Sequence, residues 1–268
     1  CREMVEDRNV FMLSGVFQAT GPDQVQACAR YAASVGVPYL SLGTTKIGLE
    51  RLPRYFAMTA AWPKQSRLLA DHLVSDLGAR REQNGMLRYG TPFFEDAHDS
   101  FIRAMRERNA EVRYDRTIPK TSGPNEARVV VQEMRAADLD NVFVLTSPVF
   151  FIQLLEAAAQ ADYHPLWTGI GMTMTITDEV VRTACNNGRI GHVRFVAPVP
   201  AFAGRKRFDT RHDRAMRALY NQRGDSITWL GWATSKATAK MLERAGRDLT
   251  RRRFVRRVER NAFKTGIL

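Results

Sequence analysis

The residues of this 268-residue chain whose types and spacing could do chemistry are hydroxyls and aromatic rings rather than acids, bases or thiols. Thr20 ends the stretch VFMLSGVFQAT, just ahead of Pro22 and a helical run, and Thr44 and Thr45 end a second apolar stretch, GVPYLSLGTT. A hydroxyl at a helix start, backed by the first unpaired N–H groups, can hold an anion such as a carboxylate. Hydroxyls at the end of a neighbouring strand could reach the same point. On spacing alone, the simpler role of Thr20 is a helix N-cap.

Catalytic signatures are scarce. The sequence has no phosphate loop, zinc-protease helix or nucleophile elbow, and GIGMT lacks the third glycine of a dinucleotide loop. FFEDAHD places Glu95, Asp96, His98 and Asp99 close together, which would suit acid–base work. A polar first turn of a helix explains Glu95 and Asp96 more simply. The five histidines have no metal-ligand spacing, and nothing calls for a cofactor or a metal. Cys1, Cys28 and Cys185 form no C-x-x-C pair, which argues against a disulfide framework and leaves room for one bridge. Cys28, between Ala27 and Ala29, reads as a small buried hydrophobe.

The net charge of +12 raises the question of nucleic acid. The densest run, RRRFVRRVER from Arg251 to Arg260, spreads its arginines over one helical face and gathers Phe254, Val255, Val258 and Ala262 on the other. No helix-turn-helix, zinc finger or aromatic RNA-binding motif accompanies it, so it reads as an amphipathic helix with a solvated basic face. Such a surface would also suit anionic lipids or cell-wall polymers. No apolar run approaches the roughly 18 residues of a membrane span, and no signal-peptide pattern gives an address.

The elements that must position these residues alternate. Helices around Cys1–Asp7 and Pro22–Ser34 each lead into strands, Val10–Ser14 and Pro38–Ser41, and Tyr55–Thr59 follows as a third strand. The next helix sets Leu68, Leu69, Leu73 and Leu77 on one side and stops at Gly78. Strands at Gly85–Tyr89, AEVRYDRTI, NVFVLT, HPLWTG and RIGHVRFVAPVP are separated by helices, one of them capped by Ser147-Pro148. The remainder is helical: Asp209–Gln222, Ile227–Ala245 and Thr250–Asn261. Alternation of this kind predicts α/β architecture with parallel sheets covered on both faces. Ligands then bind beyond the carboxyl ends of the strands, where both Gly-hydroxyl stretches fall.

The order of VFMLSGVFQATGPD, GVPYLSLGTT, RYFAMTAA, PKQSRLLADHLVSDLG, DLDNVFVLTSP and ATSKATAKMLERAGRDLTRRRF resembles the type I periplasmic binding proteins. More specifically, it resembles the branched-chain amino-acid-binding (Leu/Ile/Val) branch that serves ABC transporters. The resemblance runs along essentially the whole chain. It implies two Rossmann-like lobes joined by hinge strands and closing on a ligand between them. Lobe 1 would be 1–60 with 200–268, incomplete at its N-terminus, and lobe 2 would be 61–199. It further implies a strand–helix–strand before Cys1 and a return to lobe 2 after NAFKTGIL, so the chain reads as trimmed at both ends.

Carried over residue by residue, the resemblance gives Thr20, Thr44 and Thr45 the grip on a ligand's carboxylate and amine. On lobe 2 the chain departs from the amino-acid pattern. It offers Phe93-Phe94 where a tyrosine is common, Ser147-Pro148 where a second aromatic stands, and Ile170 where an acid would pair the ammonium. An ammonium buried without a carboxylate costs about several kcal/mol. The expected site is therefore Thr20, Thr44, Thr45, Phe93, Phe94, Ser147, Phe150 and Ile170, with Trp167 nearby. It favours an apolar or aromatic molecule with one polar or acidic end.

The resemblance implies a non-enzymatic, substrate-binding component of an ABC importer, partnered by a small ligand and a permease and not by nucleic acid or metal. Its location would be periplasmic or extracellular, free or anchored as a lipoprotein. Three alternatives stay open: a ligand-sensing domain of a receptor or transcriptional regulator, an ordinary branched-chain amino-acid-binding protein, and an enzyme using the same cleft.

Overall fold

A computed structural model describes residues 1–15, 22–41, 46–77, 83–170, 178–186, 193–196, 210–222 and 224–260. The chain divides into two compact units, Cys1–Ala61 with Lys206–Leu268, and Trp62–Arg205.

Unit 1 holds three short parallel strands, β1 (Leu13–Gly15), β2 (Tyr39–Ser41) and β3 (Tyr55–Ala57), in the order β1-β2-β3. Before and between them lie α1 (Arg2–Glu6) and α2 (Pro22–Ser34). Tyr39 is buried and stacks on Tyr55 with ring centroids 5.9 Å apart, and burial pushes its phenol up to about 12. Its hydroxyl lies under the diagonal neighbour on β1, where a Cβ on Gly15 would come within 1.9 Å of the oxygen. The glycine that ends β1 is thus demanded by packing across the sheet.

Cys1 and Cys28 form a disulfide joining α1 to α2, with Cα atoms 5.6 Å apart. This corrects the expectation that Cys28 is a simple buried hydrophobe. The sequence showed two small neighbours but not that α1 folds back onto the same helix face.

The second part of unit 1 is helical: α8 (Thr210–Tyr220), α9 (Ser226–Ala245) and α10 (Arg251–Glu259). A capping box starts α9. Thr228 N–H donates to Asp225 Oδ1 at 2.7 Å, and Asp225 N–H donates to Thr228 Oγ1 at 2.9 Å. Gly246, at φ +80°, ends it in a conformation that favours glycine. On α10, Phe254 is fully buried between Phe11 and Phe56, at 5.4 and 6.0 Å. Arg251 donates to the carbonyls of Val10 and Phe11, at 2.8 and 3.3 Å, tying the helix to the start of the chain.

Unit 2 is built on five parallel strands: β4 (Asn84–Tyr89), β5 (Val112–Ile118), β6 (Asn141–Leu145), β7 (Leu166–Ile170) and β8 (Val193–Val196). They run in the order β5-β4-β6-β7-β8. The strands are joined by α4 (Pro92–Glu107), α5 (Pro124–Ala136), α6 (Pro148–Gln160) and α7 (Asp178–Asn186), and α3 (Trp62–Ser75) precedes them. Every residue of β6 is buried, as a central strand covered on both faces requires. Asn84 and Asn141 hold the amino ends of the central strands in register. Asn141 Nδ2 donates to Asn84 Oδ1 at 3.3 Å, and Asn84 Nδ2 donates to Glu111 O at 3.1 Å.

On α3 the leucines do not share a face. Leu69 and Leu73 are buried, whereas Leu68, and Leu77 just past the helix end, are exposed. The buried stripe is Gln65, Ser66, Leu69, Ala70 and Leu73, which keeps the 3.6 period by accepting two polar residues. The Gly78 stop lies outside the described residues.

Candidate functional site

The strand order of unit 2 creates a natural crevice. From β4 the chain goes out to β5 on one side, then crosses back to β6 on the other, so the connections diverge at the carboxyl ends of β4 and β6. Such a switch point is where open α/β sheets take their ligands.

At that edge β4 ends in Tyr89, a buried residue, and β6 runs through Thr146 to Ser147. The Tyr89 and Ser147 hydroxyls are hydrogen-bonded at 3.0 Å. Ser147 is the N-cap of α6 and accepts from Phe150 N–H at 3.2 Å, which fixes its rotamer. The Phe150 ring lies 5.9 Å from the Tyr89 ring. Across the crevice Thr91 is the N-cap of α4, yet its hydroxyl makes no cap bond. Thr91 Oγ1 is buried and has no hydrogen-bond partner among the described residues. A buried hydroxyl left this way is uncommon and costs free energy until something pairs with it.

The five strands end in Tyr89, Ile118, Leu145, Ile170 and Val196, none of them charged at neutral pH. Two helix N-termini, at Pro92 and Pro148, open on the same edge. This arrangement can hold a ligand through neutral hydroxyls and helix N-termini, without an ion pair from the strand ends.

The expected site residues separate into groups. Ser147 comes together with Tyr89, and the Phe150 ring beside them is, at 1% exposed, part of the core. Phe93 and Phe94, each 2% exposed, pack with Trp62, whose ring is 4.7 and 5.8 Å from theirs. Ile170 is fully buried at the end of β7, paired with Val196. Trp167 does not reach the edge. It lies three residues upstream, and its ring packs against Phe151 and Tyr163 in the core. Thr20, Thr44 and Thr45 lie outside the described residues. Tyr89 and Thr91 were missed. The signal for them was position: the last residue of the strand before Gly90, and the residue before the proline that opens α4.

The FFEDAHD cluster is structural. His98, 9% exposed, is hydrogen-bonded through Nε2 to Asp115 Oδ2 at 2.7 Å and through Nδ1 to Asp99 Oδ1 at 2.8 Å. Burial pulls its pKa down, but the bonds to Asp115 and Asp99 outweigh this and hold it above the ordinary value. With both ring nitrogens engaged, His98 has none left to exchange a proton with a substrate. The Asp115 carboxyl is correspondingly lowered by the hydrogen bond from His98. A groove of about 380 Å³ lined by Arg106, Asn109, Glu111, Val112 and Asp115 opens near the start of β5, away from the crevice. Among the described residues no group of three His, Cys, Asp or Glu could hold a metal. No helix among them is long and apolar enough to cross a membrane.

The family model described as "Periplasmic binding protein" matches residues 1–267. No curated protein matches the sequence. Among solved structures, a possible leucine/isoleucine/valine-binding protein from Rhodopirellula baltica is similar, with a TM-score of 0.77 and 13% identity over 99% of this chain and 71% of that one. A branched-chain amino-acid ABC transporter protein from Thermus thermophilus with bound valine gives 0.76 and 15%, over 98% and 69%. A solute-binding protein of an ABC transporter from R. palustris in complex with benzoate gives 0.71 and 14%, over 98% and 70%. Identities this low establish the shared fold, the type I α/β architecture with parallel sheets. By the match along nearly its full length, this chain belongs to the periplasmic binding protein family, whose members bind solutes and are not enzymes.

Proposed function

We propose that this chain is the substrate-binding component of an ABC importer and that its ligand is a small aromatic or largely apolar organic acid, not a free amino acid. The observation that carries the ligand class is the Tyr89–Ser147 hydroxyl pair on an edge whose strands all end uncharged. Ile170 stands where the family resemblance asks for an acid to pair an ammonium. The ligand's carboxylate falls to Thr20, Thr44 and Thr45, the residues to which the resemblance gives that task. The benzoate-bound protein from R. palustris, and another from the same genus in complex with 3,4-dihydroxybenzoic acid, support the ligand class by analogy of fold. A permease is then the partner, and the lobes would follow the two compact units.

The test is a thermal-shift comparison of acids matched with and without an amine: phenylalanine against 3-phenylpropanoic acid, leucine against 4-methylpentanoic acid, and benzoate beside them. A ligand at 100 times its Kd adds about 2.7 kcal/mol of stability. Stabilisation by the amine-free acids alone is the expected outcome. Stabilisation by leucine or phenylalanine instead would return the protein to the amino-acid-binding branch.

A further inference from the structure

The net charge of +12 is not spread over the molecule. Trp62–Arg205 carries 17 lysines and arginines against 17 aspartates and glutamates, a net of zero. Cys1–Ala61 carries 6 against 5, whereas residues 206–268 carry 17 against 6, a net of +11. Solubility does not require such segregation, and the helices do not benefit from it. Three arginines in the first turn of α10 face the positive end of the helix dipole, and Arg252/Arg256 and Arg256/Arg260 are like-charge pairs four apart. Arg251 is used internally, and Arg253 pairs with Asp248 at 2.7 Å. Arg252, Arg256 and Arg260 are exposed and have no partner among the described residues. At 1.5 Å per residue they form a ladder about 12 Å long.

The same segment exposes large apolar side chains. Leu219 is 72% exposed and Tyr220 63% at the end of α8, next to exposed Arg217, and Leu249 is 42% exposed just before α10. Both α8 and α10 pack on α9, the first through His212 against Trp232 at 5.8 Å. On α10 the sole ring, Phe254, is buried and offers no face on which a base could stack. Unpaired arginines and exposed leucine and tyrosine within one helical segment are the composition of a surface that rests at the headgroup level of a bilayer. A soluble polyanion would reward the arginines but not the leucines.

We infer that the helical segment α8–α10 of unit 1 binds the surface of an anionic phospholipid membrane. This does not depend on the ligand assigned above. The experiment is flotation of the full chain with vesicles of phosphatidylcholine alone or with one quarter phosphatidylglycerol, in low and high salt. Binding is expected with phosphatidylglycerol only and should be lost near 0.5 M salt. Arg252→Gln, Arg256→Gln and Arg260→Gln should each weaken it about fivefold and together about 100-fold, with the melting curve unchanged. The three Arg→Lys substitutions should retain it. Leu219→Ser with Tyr220→Ser should weaken vesicle binding and leave binding to inorganic polyphosphate as it was. Equal binding to neutral vesicles, or an unchanged triple Gln variant, overturns the inference. So does vesicle binding that ignores Leu219 and Tyr220 and is displaced by DNA or polyphosphate.

Discussion

Reducing the Cys1–Cys28 bridge should loosen unit 1 far more than unit 2, and the size of the effect follows from the loop it closes. The cysteines are 27 residues apart in sequence. Closing a loop of that length removes about 12 cal/mol/K of chain entropy from the unfolded state, or roughly 3.6 kcal/mol at 25 °C. The helix it holds has little else to keep it. No residue of α1 is buried, and five residues are too few for a stable isolated helix. Its other ties are Tyr31 donating to Glu6 at 2.5 Å, Arg2 over the Tyr31 ring at 5.6 Å, and Val5 against the cluster around Tyr39. The first two are solvent-exposed and worth fractions of a kcal/mol each. For a unit of this size the loss should lower the melting temperature by roughly 10 °C. Calorimetry with and without a phosphine reductant would show it, and the Cys1→Ser/Cys28→Ser variant should reproduce the reduced trace. Hydrogen exchange should show α1 losing protection before β1 and β2. Two outcomes would refute the reasoning: three titratable thiols in the unreduced protein, or reduced and oxidised forms whose stabilities agree within about 1 kcal/mol.

Gly15→Ala should cost about 1–3 kcal/mol, because the new methyl meets the Tyr39 ring. Adding Tyr39→Phe should recover only part of that, since Cζ would still be 2.7 Å away; chemical denaturation measures both, and a silent Gly15→Ala would break the packing argument. Tyr89→Phe should reduce affinity for whichever acid stabilises the protein by about tenfold, while lowering stability by only about 1 kcal/mol. Titration calorimetry separates the two, and unchanged affinity would remove Tyr89 from the site. Ser147→Ala should lower stability by about 0.5–2 kcal/mol through the lost cap of α6, read from the denaturation midpoint. For His98, the raised folded-state pKa means that its contribution is full below the unfolded value near 6.5 and is lost as pH rises through the folded value. Stability should therefore decline across that window and do so less in His98→Gln, while the lowered Asp115 should withdraw its share only in acid. A wild-type profile as flat as the variant's above pH 6 would contradict the two-carboxylate clamp.

What the sequence made legible was periodic. Strands such as NVFVLT are apolar throughout because both faces are covered, and alternation with amphipathic helices leaves little but a parallel α/β arrangement. Strand ends were less legible, since Val10–Ser14 became Leu13–Gly15 and Tyr55–Thr59 became Tyr55–Ala57. Hydrogen bonding to a neighbour, not composition, decides where a strand stops. The candidate site was half legible for a related reason. Ser147 announces itself by a local rule, serine before proline at a helix start, and Phe150 follows within the same turn. Tyr89 has no local mark, because its role arises from β6 lying next to β4 across 57 residues of intervening chain, a pairing that carries its hydroxyl to Ser147. Phe93 and Phe94 show the converse. Aromatic rings after a strand suggest a pocket, but on α4 they meet Trp62, which arrives from the start of α3. An apolar ring accepts whichever apolar surface the topology delivers, so its type alone cannot separate core from site. A hydroxyl is more discriminating, because burial forces it to find a partner. The buried Thr91 hydroxyl, with none among the described residues, is therefore the most informative polar atom on this edge.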